Sequence, residues 1–494
     1  MIFFRFNFQA VLCLAWVLTI LGICSATSNA EGKDVRPNVL ILFSDDQRAD
    51  TIHALGNETI QTPNLDQLVR NGVTFENAYI MGGFSPAVCR PSRAMLLSGK
   101  TLYHLSQGKG LWDCGLVIPE EHTSFPEVFR KEGYTTVQTG KWHQDTESYR
   151  RMFALGRSSW LGGTGDHFRQ WTFDYNSPDD VPTREKCRAQ QAPLKNKPRG
   201  KHSSEVYADA VVKFLKDYKD DKPFLAYCAF FAPHDMRVAP QKYHDMYKPE
   251  RMPVPANFLP EHPFDNGEMK IRDENLAKWP RTKPAIQKHL SDYYAMITHM
   301  DAQIGRILNA LKETGQDKNT IIVFSSDNGL AVGSHGLMGK QNLYEHSVKV
   351  PLIFAGPGIP KNQRRTAPCY LIDIYPTLCE MAGLAKPSSA EGTSLVQAID
   401  DPEASVRDRF YFGYMTVQRA VREGRYKLIQ YNVKGKRTTQ LFDLQDDPNE
   451  MKNLADKKDF TQVRERMEKV IRESRDNYDD LSTARGKQFW SEKK

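Results

Sequence analysis

Cysteine is scarce in this chain: there are eight in 494 residues, and two of them, Cys13 and Cys24, fall within the first 30. The other six (Cys89, Cys114, Cys187, Cys228, Cys369 and Cys379) form no CxxC pair and no zinc-ligand spacing. That excludes a disulfide scaffold and a structural zinc centre as the organiser of the fold. Long apolar runs are also lacking. The exception is 10–24, which is shorter than the roughly 20 residues a helix needs to cross a bilayer. It follows Arg5 and leads into a small-residue stretch ending Ser28-Asn29-Ala30. This is the layout of a secretory signal peptide over 1–30, cleaved after Ala30, so the expectation is a secreted or periplasmic protein with no stable membrane insertion afterwards. No charge of one sign dominates. The 67 basic and 60 acidic residues leave a net charge of +7, mostly interspersed, and no nucleic-acid partner is expected. One stretch departs from this: 184–201, REKCRAQQAPLKNKPRGK, carries seven basic residues against one acid. It reads as a solvated loop or as a collar that draws in an anionic substrate.

What is present is an alternation of apolar runs and helical segments, the pattern of an α/β fold. The runs NVLILF (38–43), 134–138, 224–231, 320–324 and 351–355 read as strands, and NVLILF as one buried on both faces. Helices are predicted over 64–71, 124–132 and 372–381. Ile297, Met300, Ile304, Ile307 and Leu311 follow the 3.6-residue period of another, ended by Gly315. Beyond Pro387 the segments become short and alternating, as in a small antiparallel sheet, and 460–479 suggests a closing helix. The expected architecture is an α/β/α sandwich with a mostly parallel central sheet over 31–387. A smaller C-terminal α+β subdomain with a short antiparallel sheet follows over 388–494. Stretches 145–200 and 235–285, rich in turn residues, read as long surface loops.

Three predicted strands end in polar clusters: Ser44-Asp45-Asp46-Gln47, Ser325-Ser326-Asp327-Asn328-Gly329 and Ala232-Pro233-His234-Asp235. Ligands of open parallel sheets bind beyond the carboxyl ends of strands, so clusters far apart in sequence can meet there. Any one of these acids alone reads as a helix cap. Together Asp45, Asp46, Asp327 and Asn328 offer four hard oxygen ligands, which suit Ca²⁺, and Mg²⁺ after it, better than zinc.

The most specific local motif is Cys89-Arg90-Pro91-Ser92-Arg93, followed by Ala94-Met95-Leu96-Leu97-Ser98-Gly99. It resembles the C-x-P-S-R signature of the type I, formylglycine-dependent sulfatases of the alkaline-phosphatase-like superfamily. Other segments are similar to that family in the same order along nearly the whole chain: Arg36-Pro37-Asn38, Thr62-Pro63-Asn64-Leu65-Asp66, Gly140-Lys141-Trp142-His143, Pro233-His234, Gly336-Leu337-Met338-Gly339-Lys340, Val350-Pro351-Leu352-Ile353 and Tyr426-Lys427-Leu428-Ile429. Two departures stand out. Ser98 replaces the commoner Thr, and Gln144-Asp145 replaces the usual Leu-Gly.

The resemblance implies that a maturation enzyme oxidises Cys89 to formylglycine (3-oxoalanine), which also contacts the metal. Its hydrate would attack sulfur with help from Arg93 and the cation held by Asp45, Asp46, Asp327 and Asn328. His234, beside Lys340, would protonate the departing alcohol, and His143 would take the proton that lets sulfate leave. Lys141 and Lys340 would hold sulfate oxygens, and His335 would touch the leaving group. Gln47, Arg237 and His104 are further pocket or support candidates. Trp160, Phe168, Trp171 and Tyr175 could stack on sugars or simply anchor packing. The expected substrate is a sulfate ester, foremost of a sulfated carbohydrate. The alternatives are a phosphonate monoester or phosphodiester, and a non-catalytic glycan-binding protein on the same scaffold.

Overall fold

The computed structural model describes Met1 and residues 36–108, 118–120 and 122–491. Residues 2–30 of the expected signal segment and Cys114 lie outside them. Residues 36–494 form one compact unit. Its centre is a nine-stranded sheet in the order Gln363–Arg365, Gly72–Phe75, Leu352–Ala355, Thr320–Ser326, Asn38–Ser44, Phe224–Ala229, Thr135–Lys141, Leu155–Trp160, Phe173–Tyr175. The five strands from Thr320–Ser326 to Leu155–Trp160 run parallel. Leu352–Ala355 and Phe173–Tyr175 run antiparallel to their neighbours.

The apolar run of Asn38–Ser44 follows from its place in the sheet. Alternate side chains point to opposite faces, and both faces are covered. Val39, Ile41 and Phe43 pack into one core with Ala94, Met95, Leu96 and Leu97 of helix Cys89–Ser98, and with Phe129 and Leu378. Leu40 and Leu42 pack into a second core with Leu65, Tyr207, Val211, Ile297, Met300 and Ile304. These come from helices Pro63–Asn71, Ser203–Asp217 and Lys283–Glu313. The last is 31 residues long, starts at the Thr282 cap and ends where Gly315 turns left-handed at φ 73°.

The C-terminal sheet is a meander of Arg409–Tyr414, Gln418–Glu423, Tyr426–Val433 and Lys436–Asp443. Gly82–Gly83, from the N-terminal part of the chain, joins its edge, parallel to Arg409–Tyr414. A Cβ at Gly82 would stand 2.3 Å from the Gly413 carbonyl oxygen, so only glycine allows this close approach. Helix Thr461–Asn477 closes this part, as expected.

The reading of 145–200 as a long surface loop is corrected. It holds helix Thr146–Met152, strands Leu155–Trp160 and Phe173–Tyr175, and helix Arg184–Gln191. Strand Leu155–Trp160 (LGRSSW) is only partly covered, so it carries no apolar run for a sequence reading to find. The basic 184–201 stretch is likewise no plain loop. Its first half is a helix whose first turn is capped by the Thr183 hydroxyl, which accepts from the Lys186 N–H. Stretch 235–285 matches its expectation more closely, with only short turns at Gln241–His244, Pro249–Arg251 and Arg272–Leu276 before Lys283.

Candidate active site

Five chain segments deliver polar groups to the carboxyl ends of the parallel strands. Asp45 and Asp46 follow Asn38–Ser44; Asp327 and Asn328 follow Thr320–Ser326. Lys141 ends its own strand, with His143 just beyond, and His234 lies past Phe224–Ala229. Cys89 opens helix Cys89–Ser98, whose amino end carries the positive pole of the helix dipole. Asp46 (φ 65°) and His143 (φ 59°) both hold the left-handed region. Non-glycine residues adopt it at a cost of about 1–3 kcal/mol, typically where a side chain must be aimed.

Arg93 is fully buried and spans two carboxylates, with Nε donating to Asp327 at 2.9 Å and an Nη to Asp45 at 3.3 Å. The Lys141 ammonium pairs with Asp45 and lies 3.9 Å from Cys89 Sγ. His143 Nδ1 lies 3.3 Å from the same sulfur. Lys340 donates to Asp46 at 2.5 Å, and the Asn328 amide donates to Asp46 at 2.8 Å. His234 Nε2 stands 3.8 Å from Asp46, while its Nδ1 faces Asp235, 2.7 Å from the carbonyl oxygen and 3.1 Å from the carboxylate. Every residue expected from the motifs is therefore in one cluster, except His335.

His335 lies elsewhere. Its ring stacks on Tyr344 at 3.9 Å and its Nε2 meets the Glu450 carbonyl oxygen at 3.0 Å, joining the active-site loop to the C-terminal part. It is not among the residues that line the pocket. His104 pairs with Glu391 and Asp479, and Arg237 faces His289, so both are support residues. Gln47 is buried beside Asp46; its backbone N–H donates to Ser326 Oγ at 3.0 Å, and its side-chain amide has no protein partner. Of the aromatic candidates, Trp160 and Trp171 line the pocket, whereas Phe168 packs on His202 and Tyr175 lies in the core.

The electrostatics are those of a dry, crowded site. Burial, then Asp327 nearby, pushes the Asp45 carboxyl up to about 7. Burial acts on Asp46 too, but the Lys340 ammonium, joined by Lys141 and the Asn328 amide, outweighs it and holds the carboxyl below its ordinary value. Burial, then Lys141, keeps the His143 imidazole well below the usual histidine range; burial, then Lys340, does the same for His234. Burial raises the unmodified Cys89 thiol to about 11 despite Lys141 and Lys340, so a plain thiolate nucleophile is disfavoured here.

The donor set fits a hard cation. Asp45 Oδ1 and Asn328 Oδ1 are buried with no hydrogen-bond partner. Ligand atoms of Asp45, Cys89 and Asp327 come within 4.8 Å of one another, as do those of Asp45, Asp46 and His234. Orphaned oxygens amid clustered carboxylates are what a dication would satisfy.

The site opens into a pocket of about 660 Å³. Cys89, His143, His234 and Lys340 form its inner end, and Trp160, Leu161, Trp171 and helix Arg184–Gln191 form its walls. Sequence reasoning missed Gly162, Gly163, Arg272, Asp273 and Gln341. These lie outside any motif. Their one sequence signal is the glycine pair, which lets the chain pass close to Trp160 at Gly162 and to His143 at Gly163.

With this geometry in view, comparison with known proteins is decisive. The sulfatase profile matches residues 37–384, and the profile of the C-terminal part of N-sulphoglucosamine sulphohydrolase matches 333–477. The chain belongs to the sulfatase family. This sulfatase is 31% identical to an ulvan-active sulfatase of Formosa agariphila, over 90% of this chain and 82% of that one. Its fold matches a protein solved in complex with its substrate D-glucosamine-2-N,6-O-disulfate, at a TM-score of 0.72, 22% identity and 90% and 98% coverage. A phosphonate monoester hydrolase of Agrobacterium radiobacter shares the fold at a TM-score of 0.69, 22% identity and 90% and 96% coverage. As a sulfatase the chain is a sulfuric ester hydrolase.

Proposed function

We propose that this sulfatase is exported and removes sulfate from a sulfated carbohydrate, with Cys89 matured to formylglycine and a divalent cation, foremost Ca²⁺, held by Asp45, Asp46, Asp327 and Asn328. The observation that carries the reading is the convergence on Cys89. Lys141 and His143 stand within 4 Å of its sulfur, and carboxylates with unpartnered oxygens lie alongside. The ulvan-active relative supports a carbohydrate substrate, and the signal-like layout of 1–30 supports export.

Once matured, Cys89 would supply, as its hydrate, hydroxyls for attack on sulfur and for release of sulfate, and the cation would supply charge withdrawal from the sulfate oxygens. The rest falls to the chain's own groups. Arg93 and Lys141 concentrate positive charge at the nucleophile in a site where low dielectric strengthens it. His143, kept neutral, is free to accept a proton at Nδ1, the atom facing Cys89. His234, with Nδ1–H held by the Asp235 carbonyl oxygen, presents Nε2 towards Asp46 and the pocket; it hands a proton to the leaving oxygen only as the imidazolium, which the negative charge of a bound sulfate favours, with the Lys340 ammonium beside it. Lys141 and Lys340 bind sulfate oxygens as point charges. Cys89 is 1% exposed, so the maturation enzyme must act before the chain closes over it.

The test is peptide mass spectrometry across Cys89, joined to sulfate release from a panel of sulfated glycans and a small aryl sulfate. Thiol mass replaced by aldehyde or hydrate, sulfate released, and both lost in Cys89→Ala are the expected results. Matured protein that ignores every sulfate ester but cleaves phosphonate monoesters or phosphate diesters overturns the reading. Glycan binding retained without turnover in matured protein would instead mark a binding protein.

A further inference from the structure

The outer wall of the pocket carries a chemistry that the reaction at Cys89 does not use. Helix Arg184–Gln191 turns Arg184, Cys187, Arg188 and Gln191 towards the pocket, the i, i+3, i+4, i+7 set that shares one helix face. A helix packed at a pocket ordinarily puts apolar residues on that face. Here it puts two guanidinium groups, and the following turn adds Lys195. Glu185, the acid of the first turn, is not among the lining residues.

These cations differ from those deeper in the site. Lys340 is neutralised by Asp46 at 2.5 Å, and Arg272 by Asp235 at 2.9 Å and Asp273 at 2.6 Å. Arg184, Arg188 and Lys195 have no carboxylate within ion-pair distance among the described residues, and all three are exposed. Arg184 and Arg188 sit one turn apart, a like-charge spacing that opposes the helix. Burial, then Arg188, then Arg90 lowers the Arg184 pKa, which marks three cations as near neighbours. The wall is held in place. Gln191 accepts the Trp171 N–H at 2.8 Å and donates to the Arg169 carbonyl at 2.5 Å, tying the charged face to the aromatic one. A cationic wall without ion pairs among the described residues, in one pocket with apolar Trp160, Leu161 and Trp171, suits a ligand that is part ring and part anion.

We propose that Arg184, Arg188 and Lys195 form a subsite for a second anionic group, a sulfate or a carboxylate, on the same saccharide that presents its sulfate ester to Cys89. This deepens the sulfate-ester reading and rests on it for the catalytic arm alone. A guanidinium fork binds either anion in a bidentate manner, so the wall selects for a multiply charged saccharide without naming the sugar.

The test compares matured wild type, Arg184→Gln/Arg188→Gln and Arg184→Lys/Arg188→Lys. The substrates are a singly sulfated saccharide, a disulfated one, and one whose second charge is a uronate carboxylate. The ratio of kcat/KM for a doubly charged to the singly charged substrate should fall about tenfold or more in the Gln pair, mainly through KM, as expected for lost charge-assisted contacts. The Lys pair should recover most of it. Whichever second charge loses its advantage identifies the anion. A ratio that does not move for either, in protein with unchanged thermal midpoint, overturns the proposal.

An independent arm needs no turnover. Calorimetry of a sulfated uronate-hexosamine tetrasaccharide on Cys89→Ala protein should show binding weakened about tenfold by the Gln pair and by added salt. Unchanged binding overturns the proposal. If wild type hydrolyses no sulfate ester yet binding still depends on Arg184 and Arg188, the catalytic reading falls and the anion subsite stands. The three residues are exposed, and Lys195→Gln gives a second, single-site probe with a smaller loss in the same direction.

Discussion

Gly163→Ala should disable the site through one misplaced ring. A Cβ at Gly163 would stand 2.3 Å from His143 Nε2 and 2.6 Å from its Cδ2, where ordinary contact begins at 3.4 Å. The imidazole must therefore withdraw by about 1 Å, since packed surroundings do not absorb such an overlap elsewhere. Its other nitrogen is the one 3.3 Å from Cys89 Sγ, so the displacement is taken directly from the reacting geometry. A misplacement of about 1 Å costs on the order of 100-fold in rate, within the 10²–10⁴-fold contributed by a general base. The assay is kcat on a small aryl sulfate, with the formylglycine content of each preparation measured by mass spectrometry. We expect kcat to fall about 100-fold with little change in thermal midpoint, because overpacking at a pocket wall costs only about 1–3 kcal/mol. In a His143→Ala background the same substitution should cost nothing further, since the two act through one group. Wild-type kcat in Gly163→Ala, or full additivity with His143→Ala, refutes the reasoning.

Other outcomes follow from the same geometry. Chelation should abolish turnover and lower the thermal midpoint. Ca²⁺ should restore both, with a stabilisation of about 2.7 kcal/mol at a hundredfold excess over Kd, read by differential scanning calorimetry. Asp327→Asn should remove that Ca²⁺-dependent shift. It also strips Arg93, fully buried, of a partner at 2.9 Å, at a cost of about 3–5 kcal/mol in chemical denaturation. Asp480→Asn should cost a similar amount without touching the pocket, because Asp480 neutralises buried Arg419 at 2.6 Å and accepts from Tyr411 and Trp490.

The His104–Glu391 pair gives a pH signature. Hydrogen bonding to Glu391 raises the His104 pKa, and against the cost of burial His104 and Lys100 lower the Glu391 carboxyl to about 2. The carboxylate contribution is present above 4.5 and lost as pH falls from there towards 2. The imidazolium contribution is present below 6.5 and lost as pH rises through the raised folded value. The stability difference between wild type and His104→Gln should therefore be largest between pH 4.5 and 6.5 and shrink on both sides. A flat difference would show that the pair is not ionised as described.

The cluster around Cys89 was legible because its residues sit at places with their own sequence mark. Asp45, Asp46, Asp327 and Asn328 each follow an apolar run, and strand exits in a parallel sheet converge. Cys89 and Arg93 stand one helical turn apart, so the helix that buries Met95 and Leu96 also carries Arg93 to the carboxylates. His335 stands apart from the cluster that holds Lys340. Proximity in sequence to a site residue does not set direction, and its left-handed backbone, φ 53°, aims the ring at Tyr344 and Glu450. The pocket walls were illegible for a different reason. Leu155–Trp160 is a partly covered strand and Arg184–Gln191 a helix of exposed charge, so neither carries the periodicity that burial imposes.

By itself, then, the sequence determined the layered α/β architecture, the family and which polar residues gather around Cys89. Burial on both sheet faces demands apolar runs, and chemistry at a strand end demands particular residues at fixed places. Only the tertiary structure decided what surrounds that cluster. Gly163 against His143, Arg272 between Asp235 and Asp273, and a cationic helix face without an ion pair among the described residues, in the same pocket as two tryptophans, are contacts between segments with no local signature. Such contacts are set by how loops cross the sheet edge, where a side chain is chosen by its neighbour in space and not by its neighbour in the chain.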